Sequence, residues 1–289
     1  KVKDGQLGIP KIHLTHNLET IKILSQRLKN NDNVFFVDSL QLGIGLLKYF
    51  LGKKKVKFGA LFHGASFVKG DFFYDNKWLF PFEIGIFNLL DKIYAPSNFS
   101  AEFLNNLGLT DKVVTIPFGF STEKFQCNFN DKKYDVIIPH RWSWEKDPIF
   151  YRDLIKSMPK YRFAVSGFGE FTKDVNLKKI FLEIISLPNV TNLGIKFGKD
   201  HFDNLSKSKI VIGTQDTFGY SIREAISSGC IPVLRNDYCY PDFFEKKYLF
   251  NDIDEARYKI ERFIRSYPKY YRKINSFSFK EILNDFFTG

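Results

Sequence analysis

Thr214-Gln-Asp-Thr-Phe-Gly-Tyr-Ser-Ile-Arg-Glu-Ala-Ile-Ser-Ser-Gly-Cys-Ile-Pro-Val233 is the stretch that decides the fold. The apolar run Ile210–Gly213 leads into it and reads as a buried strand. A short loop follows, then an amphipathic helix over Thr217–Ser228 that opens around Gly219 and stops at Gly229. Ile231–Leu234 is the next strand. Strand, loop, helix and strand in this order make a βα unit of a parallel sheet. The helix start aims free backbone N–H groups and a positive dipole end beyond the strand, which suits an anion such as a diphosphate. Gly219 lets a ligand approach the backbone closely. Phe218, Gly219, Tyr220 and Ser221 are therefore candidates for contact with that anion. Glu224 lies about one and a half turns further along the helix and is placed to accept hydrogen bonds from a ribose diol.

The same alternation extends outward in both directions. Upstream, Tyr134–Pro139 is a compact strand, Pro148–Ser157 a helix with Pro at its first turn, and Tyr161–Ser166 a strand running into Gly167 and Gly169. Asn189–Leu193 is a strand and Phe202–Ser206 a helix. Further back, Lys11–His16, Asn33–Asp38, Val56–His63, Lys92–Ser97 and Val113–Pro117 read as strands. Leu18–Leu28, Phe82–Leu90 and Phe99–Asn106 read as helices among them. Asn, Lys and Asp dilute the pattern at Ser121–Lys132, which marks a boundary. The expected organisation is a first Rossmann-like domain over 1–125, its start open to truncation, and a second over 126–270. The segment 271–289 is a last helix that packs back on the first domain. The tail is helical from Ala256 and interrupted at Pro268. Open parallel sheets bind ligands at the carboxyl ends of their strands, so two such domains imply a cleft between them.

Composition narrows the classes. The 289 residues suffice for two modest cores, and no apolar run is long enough to span a bilayer. No signal segment follows Lys1, so a soluble, cytoplasmic protein is expected, with no integral membrane insertion. Three cysteines without CxxC spacing argue against a disulfide framework or a structural zinc. The net charge of +11 suits polyanionic partners such as nucleic acid, anionic lipid or nucleotides. An AT-rich gene, whose codons enrich Lys, Asn, Ile and Phe, yields the same excess. His13, His16 and His201 form no ligand spacing, and no metal is assigned. From Arg257 to Lys273 seven basic residues interleave with tyrosines and Phe263. Such a stripe either holds phosphates and stacks bases or is the charged outer face of a packed helix, and the second reading is preferred.

Asp216, seven residues and Glu224, followed by Ala225 and Gly229-Cys-Ile-Pro-Val233, resemble the signature of family 4 retaining glycosyltransferases of the GT-B fold. That family usually carries Glu first, so Asp216 is a departure, roughly 1.5 Å shorter in reach. A second match is Pro139-His-Arg-Trp-Ser-Trp-Glu-Lys-Asp-Pro148, where the family places an Arg and then a Lys beside the donor diphosphate; Arg141 and Lys146 fit. Two fixed cations stabilise a leaving diphosphate as it gains charge, Arg as a fork and Lys as a point charge. His140-Arg-Trp142, Glu145-Lys-Asp-Pro148, Phe218-Gly219, Gly229-Cys230 and Tyr240-Pro-Asp-Phe243 are similar in wording to the tRNA-queuosine mannosyltransferase group, as are Phe62-His63 and Ala95-Pro-Ser97.

The resemblance implies a GT-B fold and a metal-independent, retaining transfer of a sugar from a GDP- or UDP-sugar, with no further cofactor. It implies catalytic roles for His63, Asp216 and Glu224, His63 touching the donor sugar. Gly167 and Gly169 would line the sugar-phosphate, and Leu193-Gly194-Ile195 would hold the donor base. The expected acceptor is a modified nucleoside in RNA or viral DNA. A transferase acting on a surface glycan or glycolipid at the membrane face is the alternative, and a non-catalytic nucleic-acid-binding protein on the same scaffold is a third reading. The oligomeric state stays open.

Overall fold

Runs of β-branched and aromatic residues form two fully parallel sheets, in a chain that divides into two units, residues 1–119 with 278–289, and residues 120–277. The computed structural model describes residues 19, 21–36, 43–71, 74, 76–116, 127, 129–167, 174–217, 219–273 and 279–288. The expected strand Lys11–His16 and most of the 121–132 boundary lie outside them.

The first unit runs α1 (21–27), β1 (Asn33–Phe36), α2 (Ile44–Leu51), β2 (Lys57–Leu61), α3 (Phe80–Leu89), β3 (Lys92–Ala95), α4 (Asn98–Asn106) and β4 (Val113–Thr115), with strand order β1-β2-β3-β4. Alternation along the strands sends Phe36, Phe58, Ala60, Ile93 and Ala95 into one core with Ile44, Leu47, Ile86 and Leu104. The opposite face receives the chain's final helix, Phe279–Thr288, whose Phe286 packs edge-on against Phe35 and Tyr94. Asp285 of that helix accepts hydrogen bonds from the Tyr94 hydroxyl at 2.6 Å and from Lys92 Nζ at 3.1 Å.

The second unit runs β5 (Tyr134–Ile138), α5 (Pro148–Ser157), β6 (Phe163–Ser166), α6 (Val175–Ile185), β7 (Val190–Gly194), α7 (Gly198–Ser206), β8 (Ser208–Gly213), α8 (Tyr220–Ser227), β9 (Ile231–Arg235), α9 (Tyr240–Phe243), β10 (Leu249–Phe250) and α10 (Ile253–Arg265). Its six strands lie in the order β10-β9-β8-β5-β6-β7. From β5 the chain winds through β6 to β7, returns to lay β8 on the other side of β5, then winds away through β9 to β10. The direction of winding reverses between β5 and β8, and that reversal is the switch point at which open α/β sheets hold ligands. The central strands are buried on both faces: Val136, Ile138, Val165, Ile210 and Ile212 enter one core, Ile137, Ala164 and Val211 the other.

Strands β1 to β9 and helices α1, α3, α4, α5, α7 and α10 fall within a few residues of where the sequence puts them, whereas the short β10 and α9 were not expected. The exceptions have physical causes. The helix over Thr217–Ser228 begins only at Tyr220, because Gly219 sits in the left-handed region at φ 74° and caps it. Helices α2 and α6 were not expected. In α2 the run Ile-Gly-Leu-Leu-Lys-Tyr-Phe-Leu carries a glycine and no polar face, yet only Ile44, Leu47 and Leu51 are buried, at helical spacing. The signal for α6 is present: Asp174 accepts from Leu177 N at 2.9 Å as a cap, and Leu177, Phe181 and Ile184 form its buried stripe.

The basic and aromatic stretch after Arg257 is a packed face. Tyr267, Tyr270 and Tyr271 lie against the core, and Arg257, Lys259 and Arg265 pair with Asp254, Glu255 and Glu261. Among the described residues no helix is long and apolar enough to cross a membrane, and no group of His, Cys, Asp and Glu is placed to hold a metal ion.

Candidate active site

Two loops meet at the switch point: residues 139–147 after β5 and 214–219 after β8. The first carries Arg141 and Lys146. The Lys146 ammonium crosses to the second loop, donating to the Gln215 carbonyl at 2.7 Å and to Asp216 Oδ2 at 3.0 Å. Two residues far apart in the sequence are thereby joined at the carboxyl ends of adjacent strands. Arg141 donates to Glu145 Oε1 at 2.6 Å and to Ser143 Oγ at 3.3 Å. Burial pulls the Glu145 carboxyl up, but the Ser143 hydroxyl and the Arg141 guanidinium outweigh it and hold its pKa below the ordinary value. Each cation is thus held in place by a carboxylate, Arg141 by Glu145 and Lys146 by Asp216.

The loop backbone is pinned as well. Asp147 adopts the left-handed region at φ 54°, caps α5 by accepting from Phe150 N at 3.2 Å, and accepts from Arg235 Nη2 at 2.8 Å. A non-glycine residue in that region is strained and persists only when its surroundings hold it there. Arg235 also lies over the Phe150 ring, 4.8 Å from its centroid.

Three glycines on or beside these loops leave no room for a side chain. A Cβ on Gly167 would lie 2.3 Å from the His140 carbonyl oxygen, and φ is 113°. A Cβ on Gly213, the last residue of β8, would lie 2.7 Å from the Tyr240 hydroxyl. One on Gly219 would lie 3.2 Å from the Tyr240 ring. Tyr240, wholly buried on α9, is therefore the floor under the loop that opens α8. That places the Tyr240-Pro-Asp-Phe243 motif structurally: its tyrosine packs under the start of α8.

Glu224 lies on α8, and His201 Nε2 of α7 donates to its Oε2 at 3.1 Å. The sequence assigned His201 no role. The pair joins residues 23 apart on neighbouring helices, and no local spacing announces it. Leu193 and Gly194 close β7, where the Gly194 carbonyl accepts from Gly167 N at 3.3 Å and Gly194 has φ 64°. Ile195, next in the chain, is half exposed. Tyr220 and Ser221 form the first turn of α8. All of these lie in the second unit: Arg141, Lys146, Asp216 and Gly219 on the two switch-point loops, Gly167 against the His140 carbonyl, Gly194 at the end of β7 bonded to Gly167, and Glu224 on α8. Gly169 and Phe218 lie outside the described residues. His63 belongs to the first unit, exposed, two residues past the end of β2.

Arg223, buried beside Glu224, stacks its guanidinium on Phe243, 4.3 Å from the ring centroid, and burial lowers its pKa. The sequence assigned it no role; in the fold it fastens α8 to α9.

Two parallel Rossmann-like units, the second with cations and a glycine-capped helix start at its switch point, define the GT-B fold class. No family model matches the chain. The tRNA-queuosine alpha-mannosyltransferase of Drosophila melanogaster is 27% identical to it over 150 residues, 50% of this chain and 40% of that protein. The match therefore spans about two fifths of that relative's length. Among solved structures, HepE of Anabaena in complex with UDP and glucose aligns with a TM-score of 0.71 at 15% identity, over 93% of this chain and 76% of the other. A UDP-forming trehalose-phosphate synthase from Burkholderia xenovorans aligns with a TM-score of 0.66 at 14% identity, over 90% and 72%. At these identities the structural likeness is one of fold.

Proposed function

We propose that the chain is a retaining glycosyltransferase that takes a sugar from a GDP- or UDP-sugar and needs no metal. The observation that carries this reading is the reach of Lys146 across the switch point to Gln215 and Asp216, at the loop leading to the Gly219-capped start of α8. An anion seated there meets free N–H groups, the helix dipole, Lys146 and Arg141. The diphosphate gains negative charge as the glycosidic bond breaks, and these groups stabilise it more in the transition state than before. Glu224, oriented by His201, takes the ribose hydroxyls, and Asp216 is offered to the donor sugar. Retention follows when the acceptor hydroxyl attacks from the face the diphosphate leaves, the departing phosphate oxygen taking its proton. His63 of the first unit is assigned to the donor sugar.

The preferred acceptor is a modified nucleoside in nucleic acid, in keeping with the name of the Drosophila relative. A second reading, an acceptor at an anionic membrane face, is favoured by one feature of the first unit. Residues 43–70 hold six lysines and no acid, and Leu46, Tyr49 and Phe50 of α2 are exposed beside exposed Lys53, Lys54 and Lys55.

The test is release of nucleoside diphosphate from UDP-glucose and GDP-mannose. Slow release that disappears in Glu224→Ala and Arg141→Ala supports the transferase. Release from neither donor, under conditions where the protein is folded, removes it and leaves a non-catalytic scaffold. Salt-sensitive binding to tRNA against co-sedimentation with phosphatidylserine vesicles separates the two acceptors.

A further inference from the structure

Beneath the cation-bearing loop runs a line of buried polar groups that the chemistry above does not use. His140 Nδ1 donates to the carbonyl of Arg141 at 3.0 Å. The Tyr151 hydroxyl donates to His140 Nε2 at 2.7 Å. The Thr214 hydroxyl lies 3.1 Å from that of Tyr151 and donates to the carbonyl of Lys146 at 2.7 Å. The line begins on the backbone of one candidate cation and ends on the backbone of the other. All three side chains are inside the protein, His140 at 8% exposure, Tyr151 at 0% and Thr214 at 1%.

The protons can be placed. Burial, with the Lys146 charge next in size, holds the His140 pKa down to about 4, so the ring is neutral near pH 7. A neutral ring that donates from Nδ1 accepts at Nε2. Carbonyls only accept, so Thr214 spends its one proton on Lys146. The single proton of Tyr151 then faces two acceptors, and the nearer, His140 Nε2, takes it.

Burying three polar side chains stabilises nothing in itself, since an apolar trio of the same shape folds about as well. What the hydrogen bonds add is direction. They fix two carbonyls five residues apart in one short loop, and with them the backbone from which both cations spring. Asp147, held by Arg235, fixes the far end of the same loop. We propose that His140, Tyr151 and Thr214 act as one positioning unit that sets the Arg141–Lys146 loop so that both cations address the same diphosphate. The inference rests on the donor site assigned above and adds residues to it that touch no substrate. With the loop already fixed, only side chains lose freedom when the ligand binds.

Thr214 provides the test, because two substitutions separate hydrogen bonding from packing. Thr214→Val keeps the shape and loses the hydroxyl; Thr214→Ser keeps the hydroxyl and loses a methyl. Affinity for UDP and GDP is measured by titration calorimetry on the full chain, with melting temperatures alongside. The expected result is an affinity about five-fold lower in Thr214→Val and within about two-fold of wild type in Thr214→Ser. Tyr151→Phe, which keeps the ring, is expected to follow Thr214→Val and serves if the valine variant does not fold. Valine binding like wild type, or serine binding worse than valine, makes the role one of packing and overturns the inference. If the wild type binds neither nucleotide, the donor-site reading falls and takes this one with it; a wild type that binds while the variants show no difference sinks the inference alone.

Discussion

Replacing Glu224 by Ala tests whether its carboxylate reads the ribose. The side chain is 27% exposed and is held by His201 at 3.1 Å, so its direction is set before any ligand arrives. A carboxylate offers about four acceptor positions, of which His201 takes one. A hydrogen bond to a charged acceptor contributes about 1.5–3 kcal/mol, and a diol bonding this half-wet carboxylate should give about 2–3 kcal/mol, a 30- to 150-fold change in affinity. The assay is a binding cycle with the nucleoside diphosphate that wild type binds and its 2′,3′-dideoxy counterpart. Wild type should lose the full factor on going to the dideoxy ligand, and Glu224→Ala should bind both ligands alike, because the interaction is already gone. Equal losses for both ligands would mean that the substitution damaged the helix and not the ribose contact. No loss for either would remove Glu224 from the site.

Two further outcomes follow from the same loops. His140 stays neutral in the fold to about pH 4, against about 6.5 unfolded, so the unfolded chain binds the extra proton as pH falls. Stability of the second unit should therefore be full above about pH 6.5 and decline toward pH 4 by about 3 kcal/mol; urea melts of His140→Gln should show a flatter profile, and an unchanged slope would contradict a buried neutral ring. Gly167→Ala forces a methyl to 2.3 Å from the His140 oxygen at φ 113° and should destabilise by about 2–4 kcal/mol, lowering the melting temperature by roughly 5–15 °C. A melting temperature within a degree of wild type would show that the two loops are not packed as described.

The fold was legible where burial and local period agree. Strands such as Tyr134–Ile138 and Ser208–Gly213 are apolar on both faces because helices cover both, and such runs stand out between turn residues. Helix α5 begins where Pro148 says it does. Helix α2 was hidden because its exposed side carries Leu46, Tyr49 and Phe50, which erases the polar face that marks an amphipathic helix. In the site, Arg141, Lys146, Asp216 and Glu224 were visible because two compact segments carry them. Their partners were not. Tyr151 and Thr214 are 63 residues apart and meet only because β5 and β8 pair; His201 reaches Glu224 only because α7 packs on α8. Sequence pattern reports what an element is made of, and the sheet order that brings two loops together is a property of the whole unit.

The proposed activity rests on an anion lying between the start of α8 and the two cations of the loop after β5, Arg141 and Lys146. Thermal shift with UDP and GDP, on wild type and on the Arg141→Ala/Lys146→Ala double variant, measures this most directly. A ligand at a hundred times its Kd stabilises by about 2.7 kcal/mol, which should raise the wild-type melting temperature by roughly 5–10 °C. The double variant should fold and show no shift with either nucleotide. A shift as large as that of wild type would place the diphosphate elsewhere and contradict the account.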